Sequence, residues 1–211
     1  MSEQGKVKVR DAERTRRLVL DAAEQLFAER GFGGCTLKEI GELAGVSRGT
    51  PAYFFESKEQ LYQAVLSRAF DRIDAVFATL RDSLPADGAG PERYLAEFVG
   101  GYVDFLAANP SFVRLVEWES RTGGDFLPRI APHLAMIQEG LGLVNVQLAS
   151  GSIRPMDPMQ VLLSVMGLCW FPFSQADTLM RTLAQDPADP SFVEARKRHI
   201  LDLLLNGLNA R

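Results

Sequence analysis

The sequence predicts an all-α fold of about nine helices, three in a small N-terminal part and six in a larger body. Three observations carry this. No stretch alternates β-branched with polar residues as a half-buried strand does. Apolar residues recur at helical spacing along most of the chain. Caps and glycine or proline breakers separate these apolar stretches. The chain has 211 residues, 46% of them hydrophobic and 24% charged, enough to bury a sizeable core.

The elements follow in order. Met1 to Arg10 is polar and charged and is expected to be a flexible arm. Val19, Ala22, Ala23, Leu26 and Phe27 then mark one face of a helix from about Asp11 to Glu29, stopped by Gly31 to Gly34. Thr36-Leu-Lys-Glu39 is a capping box that opens a second helix, buried through Leu37, Ile40, Leu43 and Ala44. Gly45-Val46 makes a short turn, and Ser47 is an N-cap for a short third helix reaching about Phe54. Ser57-Lys-Glu-Gln60 opens a long fourth helix with Leu61, Val65, Ala69, Ile73, Val76, Phe77 and Leu80 in register. If it runs to Ser83 it is about 40 Å long.

The body continues past a loop at Pro85 to Pro91. One helix carries Leu95, Phe98, Tyr102, Phe105 and Leu106 and stops at Asn109-Pro110, and Ser111 to Ser120 is a short helix. Gly123-Gly124 breaks the chain, and Phe126 to Ala149 is helical, with Pro128 and Pro132 disturbing its first turns. Gly151 to Pro155 is a loop. Asp157-Pro158 and Asp189-Pro190 each place an N-cap before a proline, starting helices over about 157–184, kinked at Pro172, and 190–209. No internal repeat and no heptad pattern is present.

Composition bounds the function. The longest apolar run, Val161 to Phe173, is too short for a membrane span, which needs about 20 residues. The N-terminus lacks the apolar core of a secretory signal. Cys35 and Cys169 are far apart and in no metal-ligand spacing. These features predict a cytoplasmic protein with free thiols and no membrane partner. No phosphate loop, HExxH, CxxC or EF-hand pattern occurs, so neither cofactor nor metal is expected. The net charge of -4 is unevenly spread. Residues 1–58 hold 10 Lys/Arg and 9 Asp/Glu, and the rest hold 13 and 18. The basic excess of residues 1–17 can approach a polyanion, though a solvated tail explains it equally well.

Two short capped helices joined at Gly45-Val46 form a helix-turn-helix candidate. In such a unit the second helix enters the DNA major groove by its N-terminal end. Here that end is Ser47-Arg48-Gly49-Thr50. Arg48 can donate two bonds to guanine, and Thr50 can bond a base or a phosphate or touch a thymine methyl. Tyr53 offers a hydroxyl to a phosphate. The helix N-termini at Thr36 and Ser57 offer amides to phosphates, and Lys58 adds charge there.

Thr15 to Phe32 (TRRLVLDAAEQLFAERGF), Thr36 to Thr50 (TLKEIGELAGVSRGT) and Phe55 to Leu61 (FESKEQL) resemble the first four helices of the tetracycline-repressor-like (TetR) transcriptional regulators. The resemblance covers roughly residues 14–66. It implies a three-helix DNA-binding head with a helix-turn-helix, joined to a six-helix ligand-binding and dimerisation domain. It divides the chain into 1–56 and 57–211. By motif position it puts Arg48, Gly49, Thr50 and Tyr53 on the recognition helix, Lys38 near the groove, and Thr36 and Lys58 on phosphates. It also implies a homodimer through the last two helices, a palindromic operator, and release by a small molecule. Pro51-Ala52 depart from the family's usual apolar residue and tyrosine, and Phe54 stands where histidine or an aromatic is usual.

The body exceeds what DNA binding needs and is rich in aromatics. A small, partly apolar effector between its helices is expected. Tyr102, Trp118, His133, Asn145 and Trp170 are the candidate polar or stacking contacts. Two other readings compete. One is a helical protein-interaction module whose helix-turn-helix is degenerate at Pro51-Ala52. The other takes Gly45-Val-Ser-Arg-Gly49 as the G-x-S-x-G elbow of a hydrolase, which requires a strand before Ser47.

Overall fold

In the computed structural model, which describes residues 3–83, 91–149, 151 and 153–208, the capped apolar stretches fold as nine α-helices. They are α1 (Glu3–Arg30), α2 (Leu37–Leu43), α3 (Thr50–Phe55), α4 (Lys58–Ser83), α5 (Pro91–Ala108), α6 (Pro110–Arg121), α7 (Ala131–Ala149), α8 (Pro158–Ser174) and α9 (Pro190–Leu208). No strand longer than one residue occurs among the described residues. Residues 84–90, and with them most of the loop expected at Pro85 to Pro91, lie outside the described residues.

The chain divides into two compact units, residues 1–69 with 114–130, and residues 70–113 with 131–211. In the first unit α1 packs on α2 and α3. Val19, Ala23, Phe27, Ile40, Leu61, Tyr62 and Val65 are fully buried there. All but Tyr62 are apolar positions whose spacing marked the helices, and burying each large one stabilises the unit by about 1.5–3 kcal/mol. Arg68 fastens α4 to α1 with ion pairs to Asp21 and Glu24, both at 2.6 Å.

In the second unit α5, α7, α8 and α9 pack through the pairs α5·α9, α7·α8, α5·α8 and α8·α9. Ile73, Val99, Val103, Leu106, Cys169 and Ile200 are among its fully buried apolar residues. Lys197 of α9 pairs with Asp104 of α5 at 2.5 Å.

Four boundaries differ from the sequence reading. α1 begins at Glu3, ahead of Asp11 and within the stretch expected to be an arm. α3 begins at Thr50 with Gly49 as its N-cap, so Ser47 does not cap it. The Ser47 carbonyl is taken by the Thr50 amide in a turn of 3.0 Å instead. Extended backbone at Ile130 separates a short 3-10 turn, Leu127–Arg129, from α7, so Phe126 to Ala149 is not one helix. α8 stops at Ser174, and Ala176–Met180 is a π-helical turn rather than more of the same helix.

Proline explains the last difference in part. Pro172 has no N–H to give the Leu168 carbonyl one turn back. Arg196 of α9 donates to that carbonyl instead, at 2.5 Å. Among the described residues no helix is long and apolar enough to cross a membrane.

Candidate nucleic-acid interface and cavity

The turn between α2 and α3 is built from backbone hydrogen bonds. The Gly45 amide donates to the Glu42 carbonyl at 3.2 Å, and the Val46 amide to the Gly41 carbonyl at 3.0 Å. This pair of bonds is the Schellman ending, and it requires the left-handed residue that Gly45 supplies with φ +68°. Thr36 caps the other end of α2. Its hydroxyl accepts from the Glu39 amide at 3.2 Å, and its own amide donates to Glu39 Oε2 at 2.8 Å. α2 is therefore fixed at both ends.

Pro51 sits in the first turn of α3, where an N–H has no partner inside the helix, so it costs no helical bond. It is buried against Gly41 of α2, where an added Cβ would lie 3.5 Å from its ring. The motive for a degenerate helix-turn-helix disappears, since α3 is intact through Pro51-Ala52. The hydrolase elbow is also overturned: helix α2, not a strand, leads into Ser47.

The predicted contact residues fall as follows. Lys38, Ser47, Arg48, Gly49 and Tyr53 are exposed, Tyr53 at 82%. Ser47 Oγ and Thr50 Oγ1 share a hydrogen bond of 2.7 Å. Arg48 lies in the turn ahead of α3, not on it. Lys58 is half-buried, with Nζ 4.7 Å above the Phe32 ring. Thr36 is exposed, but its hydroxyl is used by the capping box.

One residue was missed. Glu42 Oε1 faces Arg48 Nη2 at 3.6 Å and Lys38 Nζ at 4.0 Å, so two predicted DNA contacts share one carboxylate. The i, i+4 spacing of Lys38 and Glu42 signals half of this. The contact across the turn has no periodic signature.

Behind this surface the first unit holds an aromatic cluster. Tyr62 meets Phe27 edge-on at 4.8 Å and Phe126 at 5.1 Å. The Tyr62 hydroxyl donates to Glu119, a carboxylate only 1% exposed, at 2.8 Å. The Phe126 and Leu127 amides donate to the same group at 3.1 and 3.3 Å. Burial and the adjacent carboxylate push the Tyr62 phenol far above its ordinary value.

Of the five candidate effector contacts, Tyr102, which is buried, is the one that lines a cavity of about 10 Å³ with Phe77, Phe98, Met136, Ile137, Leu162 and Met166. That is room for about one water molecule. Burial and nearby Cys169 push the Tyr102 phenol well above its ordinary value. Burial likewise raises the Cys169 thiol to about 12. His133 meets Phe70 at 4.9 Å with the rings tilted by 56°, Phe70 meets Phe112 at 5.1 Å, and Phe112 meets Trp170 at 6.1 Å. Asn145 is exposed on α7.

Trp118 belongs to the first unit and is not among this cavity's lining residues. Its indole N–H donates to the Ala28 carbonyl at 3.2 Å, and its ring covers Gly31, where an added Cβ would come within 2.8 Å. Among the lining residues Phe77, Phe98 and Tyr102 stand in the helix registers read from the sequence, and Leu162 and Met166 in the apolar run from Val161 to Phe173, but the cavity itself has no local signature.

Comparison with known proteins places this architecture. Residues 19–65 match the family described as "Bacterial regulatory proteins, tetR family", and residues 91–204 match "Tetracyclin repressor-like, C-terminal domain". The HTH-type transcriptional repressor NicS of Pseudomonas putida is 29% identical over 207 residues, 96% of each chain. The HTH-type transcriptional regulator RutR of Escherichia coli is 30% identical over 152 residues, 71% of this chain and 69% of its own.

Among solved structures, FadR of Bacillus subtilis, crystallised with stearoyl-CoA, shares the fold at a TM-score of 0.71 and 19% identity, covering 91% of this chain and 98% of that one. The ketosteroid regulator KstR2 of Mycobacterium tuberculosis shares it at 0.70 and 20% identity, covering 94% and 96%. With a capped helix-turn-helix at its head and both halves matched, the chain belongs to the TetR family of DNA-binding transcriptional regulators.

Proposed function

We propose that this protein is a ligand-responsive repressor that binds a palindromic operator as a homodimer and is released by a small, partly apolar molecule. The observation that carries this is the capped, hydrogen-bonded α2–turn–α3 unit with Lys38, Arg48 and Tyr53 exposed on it. Residues 1–56 serve as the DNA-binding head, and 57–211 as the effector-binding and dimerisation body. Arg48 and Thr50 contact bases, while Thr36, Lys38, Ser47, Gly49, Tyr53 and Lys58 lie along the phosphates or close to the groove. The name of the relative NicS supports repression rather than activation.

An apolar stripe supports the dimer. Met159, Leu163 and Phe171 are exposed at four- or eight-residue intervals along α8, and Leu203 is exposed on α9. Such a stripe on one chain is what a two-fold interface covers. The cavity beside Tyr102 supports an apolar effector, with His133 and Trp170 on the ring cluster nearby in sequence to its walls. The protein has no catalytic role and acts in the cytoplasm.

The test is selection of bound sequences from a random duplex library at two salt concentrations. The expected result is one enriched palindrome whose affinity falls as salt rises. No enrichment at either salt would reject the reading.

A further inference from the structure

Glu42 stands where helix physics disfavours it. It is one residue from the C-terminal end of α2, where the exposed carbonyls favour cations. Its partner Lys38 lies four residues toward the N-terminus, the weaker orientation for such a pair. That contact is also long, at 4.0 Å. On a surface that presents Lys38, Arg48 and Tyr53, the Glu42 charge repels phosphate. Neither helix stability nor attraction to a polyanion accounts for it.

The contact across the turn does. Arg48 Nη2 is 3.6 Å from the same Glu42 oxygen. The backbone between the two residues is held by the Gly45 and Val46 amide bonds on one side and the Thr50 amide bond on the other. The side-chain torsions of Glu42 and Arg48 then set where the guanidinium points. At 3.6 Å from one guanidinium nitrogen the carboxylate makes an ion pair and not a hydrogen bond, and its charge favours the Arg48 rotamers that turn that edge toward Glu42 and the other N–H donors away from it. Reading guanine needs such an orientation, whereas attraction to phosphate does not.

We propose that Glu42 is a positioning residue for base recognition. It orients the Arg48 guanidinium toward the base edge and lowers sequence-independent attraction to phosphate, so that it raises selectivity at the expense of total affinity. The proposal rests on the DNA-binding reading above. Exposed ion pairs contribute little to folding, so the effect belongs to DNA binding and not to melting temperature.

The experiment compares wild type, Glu42→Gln, Glu42→Asp, Arg48→Ala and the Glu42→Gln/Arg48→Ala double variant. Each is titrated against the selected operator and a random duplex over a range of salt. Glu42→Gln binds the random duplex more tightly, and its ratio of operator to random affinity falls about tenfold, the scale of one oriented base contact. Glu42→Asp keeps the charge but is one methylene shorter. It binds the random duplex as wild type does, yet its ratio falls too. On the Arg48→Ala background Glu42→Gln leaves the ratio unchanged.

Unchanged ratios in both single Glu42 variants overturn the proposal. So does an equal fall with Arg48 absent. If wild type binds no duplex in a salt-dependent way, the DNA-binding reading itself fails and takes the proposal with it. Wild-type binding with unchanged ratios rejects the proposal alone.

Discussion

Glu39 accepts hydrogen bonds from the Thr36 hydroxyl and amide, both at 2.8 Å, and faces Arg30 at 3.2 Å. The Thr36 bonds first, and Arg30 after them, hold its carboxyl below the ordinary value of 4.5. A lowered folded value means that the stability is fully present above the unfolded value and is lost as pH falls through the folded one. Glu39→Gln is therefore expected to melt below wild type at neutral pH, with the gap closing as the buffer is taken below 4.5. A pH series of thermal melts checks this, and a gap that persists at the acid end contradicts it. Residues of this kind were legible in the sequence, because a capping box spans only four positions. The role of Trp118 was not. Its carbonyl partner, Ala28, is 90 residues away, and no local pattern carries such a distance.

Among the elements, α8 shows how a helix break is repaired. Pro172 leaves the Leu168 carbonyl without its helical partner, and Arg196 supplies a charged donor from α9. Removing that donor leaves a partly buried carbonyl unsatisfied, at a cost of about 1–3 kcal/mol. Arg196→Met should lose about that much in urea unfolding. Pro172→Ala restores an N–H to the Leu168 carbonyl, so the Arg196→Met loss should shrink on that background. Equal losses on the two backgrounds would mean that Arg196 acts by packing alone. The apolar run and its proline were readable from the sequence. The end at Ser174 was not, because residues after Pro172 keep helical composition while the bonding shifts to the π pattern, with the Met180 amide on the Gln175 carbonyl at 3.0 Å.

For the molecule as a whole, the proposed dimer makes the sharpest demand. Leu163 and Phe171 are 54% and 50% exposed on one stripe of α8. Leu163→Asp with Phe171→Asp should give a monomer in sedimentation that keeps its helical spectrum. It should bind operator at least tenfold more weakly, since two half-sites are no longer held together. A variant that still sediments as a dimer would move the interface elsewhere. At this scale the all-α class and the small-then-large order followed from periodicity, caps and breakers. That residues 114–130 cluster with the N-terminal helices did not follow from them. It depends on pairings such as Tyr62 with Glu119, made between distant segments.

The cavity beside Tyr102 has a consequence in time. Drug-sized ligands occupy pockets of roughly 300–1,000 Å³, and this one holds about 10 Å³ behind Phe77, Phe98 and Leu162. An effector that enters there must wait for those side chains to part. Its observed association rate should then rise with concentration only to a ceiling, set by how often the helices open. The protein would answer a sudden pulse of effector at its own internal pace, and brief fluctuations in effector level would pass without a response.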